Sequence, residues 1–147
     1  MRKYPYLNFL QLIKLIDRGI PLPLAGIKNH RSFIYLENLV DAVVVCTHHP
    51  KAAGKTFVLS DGMEVSTSEL IQNISAALGK PSRLFSCPPD FLRLLGRITG
   101  KSKSVSRLLN SLMVDSSKIQ SELDWVPPFS MEEGLQETVR WYQQAVR

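Results

Sequence analysis

Five cations and no acid lie between residues 93 and 107, namely Arg93, Arg97, Lys101, Lys103 and Arg107. With a net charge of +5 and a pI near 9.4, such a stretch attracts anions. A nucleic-acid partner is not expected, because no aromatic residue is interleaved among these cations to stack on bases. Arg31 is a further candidate for anion chemistry, opening the aromatic and β-branched run Arg31-Ser-Phe-Ile-Tyr35 that turns directly into a helical pattern. His48 and His49 are adjacent, so their imidazoles point apart on a helix and suit its terminal carbonyls better than a metal. His30 either joins an anion site beside Arg31 or is a turn residue. Cys46 and Cys87 form no Cys-x-x-Cys pair, so two buried thiols are expected, with no zinc site and no disulfide framework. The glycines at 19, 26, 54, 62, 79, 96, 100 and 134 make no Gly-x-Gly-x-x-Gly turn, and no tyrosine is followed four residues later by lysine. No metal is expected, and no catalytic residue is assigned.

The elements that must position these residues belong to an ordinary globular chain. Its 147 residues, 44% hydrophobic and 21% charged, fit one domain over 1–147 with a sizeable core. The apolar residues behind Met1-Arg2-Lys3 are interrupted by Asn8, Gln11, Lys14 and Asp17, unlike a signal peptide, and no run approaches a membrane span. A cytoplasmic protein with no membrane partner is expected.

Leu7, Leu10, Leu12, Ile13 and Ile16 predict a first helix that stops at Gly19, and Ile20–Leu24 a proline-punctuated edge strand. Residues 33–35 read as extended and 36–48 as a helix with Leu39, Val40, Val43 and Val44 on one side. Thr56–Leu59 reads as a strand before the Asp61-Gly62 turn, and Ser66-x-x-Glu69 as a capping box for a helix using Leu70, Ile71, Ile74, Ala77 and Leu78. Residues 83–86 suggest a strand, 88–99 an apolar helix on Phe91, Leu92, Leu94, Leu95 and Ile98, and 101–106 a polar linker. Asp115 is expected to cap a short helix ending at Leu123, and Ser130-x-x-Glu133 to cap the last one. Phe129, Trp125, Trp141 and Tyr142 are expected to pack the core. Alternating strands and helices argue a mixed α/β fold.

Arg31-Ser-Phe-Ile-Tyr-Leu-Glu-Asn-Leu-Val-Asp-Ala42 resembles the Arg-x-Phe-Ile-(His/Tyr)-Val-x-(Asp/Asn)-Leu segment of extended short-chain dehydrogenases/reductases, the family of nucleotide-sugar epimerases and dehydratases. Asp115-Ser-Ser-Lys118, Leu123-Asp-Trp125-Val-Pro127, Glu133-Gly-Leu135 and Trp141-Tyr142 are similar to that family's C-terminal signature, with Asp124 where glycine is usual. Gly54-Lys-Thr-Phe-Val-Leu-Ser60 resembles a strand between the two. The likeness spans nearly the whole chain, whereas the glycine-rich cofactor turn and the Tyr-x-x-x-Lys pair of the family's N-terminal Rossmann half are missing.

This resemblance implies a small mixed α/β substrate-binding portion, UDP-glucose 4-epimerase-like, for which the partner is a nucleoside-diphosphate sugar. The chain itself would hold no cofactor, NAD belonging to the full-length enzyme, and would be inactive alone. Arg31 stands where the family's arginine reaches the diphosphate, and Arg107 is the candidate for a second such arginine. Asn8 would contact the nucleotide or act as an N-cap. The strand carrying Pro23 and Ala25 would lie beside the nucleobase; some relatives place an aromatic ring where Ala25 stands, so the base stays open. Tyr35 is read as structural. Other readings are a stand-alone binding or assembly module without catalysis, and one half of a split reductase whose Rossmann half comes in trans. Surfaces normally covered by that half are expected to self-associate.

Overall fold

The computed structural model describes residues 9–100 and 102–146. Its elements, in chain order, are α1 (Phe9–Asp17), β1 (Arg31–Ser32), α2 (Leu36–His48), a 3-10 turn (Pro50–Ala52), β2 (Glu64–Val65), α3 (Thr67–Ala77), α4 (Pro89–Ile98), α5 (Ser102–Leu109), α6 (Ser117–Leu123) and α7 (Met131–Ala145). The fold is mixed α/β with far more helix than strand, and β1 and β2 pair as a two-stranded sheet. The chain divides into two compact units, each built from two separate stretches: residues up to 30 with 65–111, and 31–64 with 112–147.

In the first unit α1 packs on α3. Leu12, Ile13 and Ile16 of α1, and Leu70, Ile71 and Ile74 of α3 with Leu78 at its end, are buried at the helical spacing the sequence carries. α3 starts on the expected capping box: Ser66 Oγ accepts from the Glu69 N–H at 3.1 Å, and the Glu69 carboxylate accepts from the Ser66 N–H at 2.7 Å. The two predicted strands shrink to a single parallel bridge between Leu22 and Leu84, since the prolines at 21 and 23 remove ladder donors on either side. Residues 102–106, expected within a polar linker, open α5 instead, because Val105 finds a seat against Gly96 of α4. α4 itself buries only Leu92 and Gly96, not the five apolar residues expected to build it.

In the second unit Ala42, Ile119, Leu123 and Trp125 form a buried cluster, with Val45, Cys46, Ala52, Phe57 and Leu59 packed around it. Phe57 and Leu59 pack on this cluster while Val58 is exposed, and residues 56–59 form no ladder, so the expected strand is absent. α7 begins on a second capping box, Ser130 with Glu133. α6 is N-capped by Ser116 in backbone position rather than by Asp115, whose carboxylate accepts from the Ser117 N–H at 2.8 Å. Its C-terminal residue Asp124 takes φ 53° and ψ 25°, the left-handed conformation that glycine would adopt freely. Trp125 and Tyr142 are buried as expected, but Trp141 is exposed, because α7 turns residues 135, 139 and 142 inward and 141 falls outside that stripe. Cys46 and Cys87 are half-buried and unbonded rather than buried.

α2 corrects the sequence reading most sharply. Its predicted extent is right, yet Val40, Val43 and Val44 are exposed, and its buried residues are Asn38 and Ala42. A polar side chain faces inward because every hydrogen-bonding atom it turns in finds a partner.

Candidate functional site

Arg31 stands in the second unit, half-buried on β1. Its backbone position is fixed from the far end of the chain: Ser32 N–H donates to Leu112 C=O at 2.9 Å, and Val114 N–H donates to Ser32 Oγ at 2.9 Å. The guanidinium carbon lies 5.8 Å from the Phe33 ring centroid, a cation–π placement that restrains the plane of the charged group. A restrained guanidinium suits a diphosphate, because less rotamer freedom is lost when it binds.

Behind Arg31 the motif residues form a scaffold. Asn38 is fully buried; its Nδ2 donates to Asp61 Oδ1 at 2.7 Å and to Phe129 C=O at 2.8 Å, and its Oδ1 accepts from Phe129 N–H at 2.9 Å. Asp61 closes the loop back to the strand run, accepting from Tyr35 N–H at 2.9 Å and donating its own N–H to Phe33 C=O at 2.9 Å. Tyr35 sits on α7 at Gly134, where an added Cβ would come within 2.8 Å of the ring, and meets Phe129 edge-on with centroids 5.6 Å apart. Burial, then the charges of Glu37 and Glu137, push its phenol pKa up, and its contacts with Gly134 and Phe129 make Tyr35 a packing residue. Asp41, also in the motif, accepts from Trp125 Nε1–H at 2.8 Å. Much of the family-like motif is therefore a brace for the strand that carries Arg31.

The first unit holds Pro23, Ala25 and Arg107. Ala25 is exposed and Pro23 half-buried. Leu22 N–H donates to Arg83 C=O at 2.9 Å and Ala25 N–H to Phe85 C=O at 3.2 Å, so the donors of this segment are already engaged within the unit. Arg107 is exposed on α5, whose C-terminal end is pinned by a residue the sequence reading passed over. Asn29, 5% exposed, donates through Nδ2 to Leu108 C=O at 3.1 Å and Asn110 C=O at 3.0 Å, and accepts on Oδ1 from Thr67 N–H at 2.8 Å. Thr67 Oγ1 adds a second donor to Leu108 C=O at 2.8 Å. No periodicity marks Asn29; the one available signal is its place two residues before Arg31. Pro23, Ala25 and Arg107 share one unit, Arg31 belongs to the other, and Asn8 lies outside the described residues.

His48 behaves as a helix-end histidine, its Nδ1 lying 2.9 Å from Val44 C=O, and His49 Nδ1 accepts from Lys51 N–H at 3.3 Å. Among the described residues no group of three His, Cys, Asp or Glu side chains could hold a metal ion. The glycines form no pyrophosphate turn either. Gly19, Gly54, Gly62, Gly79 and Gly100 serve turns at positive φ, Gly96 and Gly134 lie inside helices under Val105 and Tyr35, and Gly26 faces Ser86, so none leads a strand into a helix as a pyrophosphate turn must.

No family model matches the chain. It is 42% identical over 139 residues to a UDP-glucose 4-epimerase of Vibrio cholerae, an alignment covering 94% of this chain and 42% of that protein. Among solved structures, an epimerase of Methanothermobacter thermautotrophicus superposes with a TM-score of 0.69 at 21% identity, covering 93% of this chain and 37% of the other. A dTDP-glucose 4,6-dehydratase of Bacillus anthracis, solved with NAD, superposes with a TM-score of 0.66 at 22% identity, covering 99% and 42%. The chain thus spans about two-fifths of the length of the proteins it matches. By sequence along nearly its whole length, and by fold, the chain matches a portion of these epimerases and dehydratases that fits the C-terminal half of extended short-chain dehydrogenases/reductases.

Proposed function

We propose that this chain is the part of an NAD-dependent epimerase, UDP-glucose 4-epimerase-like, that recognises a nucleoside-diphosphate sugar. The observation that carries the reading is the identity to a UDP-glucose 4-epimerase along nearly the whole chain. Arg31 supports it, being a restrained cation on a braced strand. In this reading its guanidinium gives paired hydrogen bonds to the diphosphate and keeps its charge at any physiological pH. Arg107, exposed on α5, is a separate candidate for contact with an anionic group. The segment at Pro23 and Ala25 meets the base through carbonyl groups, since its N–H donors are engaged.

The chain alone transfers no hydride, because it lacks both a Tyr-x-x-x-Lys pair and a pyrophosphate turn. A cofactor-binding portion, or a second copy, covers the aliphatic stripe Leu36, Val40, Val43 and Val44 of α2.

Calorimetric titration with UDP-glucose, UDP-N-acetylglucosamine and dTDP-glucose tests the reading. A UDP-sugar should bind, and Arg31→Ala should weaken it about tenfold or more, the size of a lost charge-assisted hydrogen bond. Unchanged affinity in Arg31→Ala would remove the arginine from the site, and no binding of any ligand would remove the reading itself. Turnover of a UDP-sugar by the chain alone would sink the claim of inactivity.

A further inference from the structure

α4 exposes a face that the core does not use. Only Leu92 and Gly96, one turn apart, are buried, and α5 covers them, with Val105 close enough that a Cβ on Gly96 would meet its Cγ2 at 2.9 Å. Phe91, Leu94, Leu95 and Ile98 follow i, i+3, i+4, i+7 spacing and are 51%, 51%, 40% and 73% exposed. At 3.6 residues per turn they fill an arc of roughly 100°. Arg93 and Arg97 occupy the arc beside it, Arg93 in an exposed pair with Asp90 at 3.2 Å. After Asp90 the chain carries no acid until Asp115, while Arg97, Lys101, Lys103 and Arg107 follow.

A helix whose core contact takes one arc, with large apolar residues on a second and arginines on a third, is built for a boundary between water and lipid. Arginine stems can run along the apolar surface and raise their guanidinium groups to the phosphates. A nucleic acid would use the cations but would leave Leu94 and Ile98 in water. A second copy of the chain would have to set this acid-poor basic flank against its own.

We propose that α4 docks the chain on an anionic lipid surface, with Phe91, Leu94, Leu95 and Ile98 at the headgroup and acyl boundary and Arg93 and Arg97 on lipid phosphates. No described helix is long and apolar enough to cross a membrane, and α4 need not be: ten residues, about 15 Å, lie flat in the surface. The expectation of no membrane partner rested on the lack of a spanning run, which has no bearing on a helix in the plane of the surface.

The test is co-sedimentation of the full chain with phosphatidylglycerol/phosphatidylethanolamine vesicles and with phosphatidylcholine vesicles, at low salt and at about 0.5 M salt. The chain should pellet with the anionic vesicles at low salt and much less in the other conditions. Leu94→Gln with Ile98→Gln should lower partitioning about tenfold or more, and Arg93→Gln with Arg97→Gln about fivefold for each arginine removed. All four side chains are exposed, so circular dichroism and melting temperature should match the parent, and the arginine pair provides a second route should the apolar pair perturb folding. Absence of binding to anionic vesicles at low salt would overturn the proposal. So would equal partitioning of the parent and the Leu94/Ile98 variant, which would mean that net charge alone holds the chain. A fall in lipid-free mass on sedimentation of that variant would also overturn it, by showing that another copy covers α4.

Discussion

Each unit of the molecule turns on one buried asparagine, and the two are used alike. Asn29 and Asn38 each donate twice and accept once, and each ties its own stretch to chain about 80 to 90 residues away. What differs is the surroundings. Asn38 is fully buried on Asp61 and Phe129, whereas one of the acceptors of Asn29, Asn110, belongs to an exposed residue. The same amide geometry therefore braces Arg31 inside a closed packing and Arg107 near solvent. Loss of either amide should be felt according to how much water can reach the partners left behind.

The largest expected effect is that of Asn38→Ala, which strands the Phe129 backbone and an Asp61 oxygen and should cost about 3–4 kcal/mol in urea denaturation. Asn29→Ala should cost about 2 kcal/mol, because Thr67 still donates to Leu108 C=O and water can reach Asn110. Hydrogen exchange sharpens the contrast: Asn38→Ala should speed exchange in 36–48 and 131–145 and spare 67–77, and Asn29→Ala should do the reverse. A uniform rise in both would show that the units open as one and would break the comparison.

The two capping boxes offer a finer test, one in each unit. Ser66→Ala and Ser130→Ala should each cost about 1 kcal/mol. Hydrogen bonds from the serine backbone first, and its side chain second, hold Glu69 and Glu133 below the usual carboxylate range. A carboxylate with a depressed folded pKa stabilises fully above its unfolded value, and that stabilisation is lost as pH falls through the folded value. The deficit of each variant, read as melting temperature from pH 7 down to pH 3, should therefore shrink in acid; a constant deficit would mean the carboxylates take no part. Smallest of all, Asp124→Gly should raise stability by about 0.5 kcal/mol, the relief of a left-handed residue less the added freedom of glycine when unfolded. A loss of stability in Asp124→Gly would mean that the aspartate side chain contributes more than its backbone costs.

Much of this arrangement could be read from residues in order. The extents of α2, α3 and α7 follow from apolar spacing and from caps that act over three residues, and Asp124 was recognisable as a left-handed helix end. Distances that local pattern does not encode were lost. The Ser-Lys-Ser stretch that opens α5 has no stripe of its own and becomes helical because Gly96 makes room for Val105. α2 was located but turned the wrong way, since spacing finds an apolar side without knowing whether anything covers it, and the buried Asn38 was decided by partners at 61 and 129. For the site, Arg31 stood out through its motif. Asn29 did not, because a lone polar residue in a loop announces nothing until its acceptors at 108 and 110 are in place.

The interleaving of the two units bears on how the chain comes into being. The backbone passes between them at 30 and 31, at 64 and 65, and at 111 and 112, so neither can be cut out as one continuous piece. A polypeptide leaving the ribosome cannot close the Asn29 brace until residue 110 has emerged, nor the Asn38 brace until residue 129 has. Until then Ala42 of α2 lacks the Ile119, Leu123 and Trp125 side chains that bury it, and closure must wait for contacts of high sequence separation, which form slowly. Both braces can close only once residues 110 to 129 have been synthesised, and until then the chain is most exposed to misassembly.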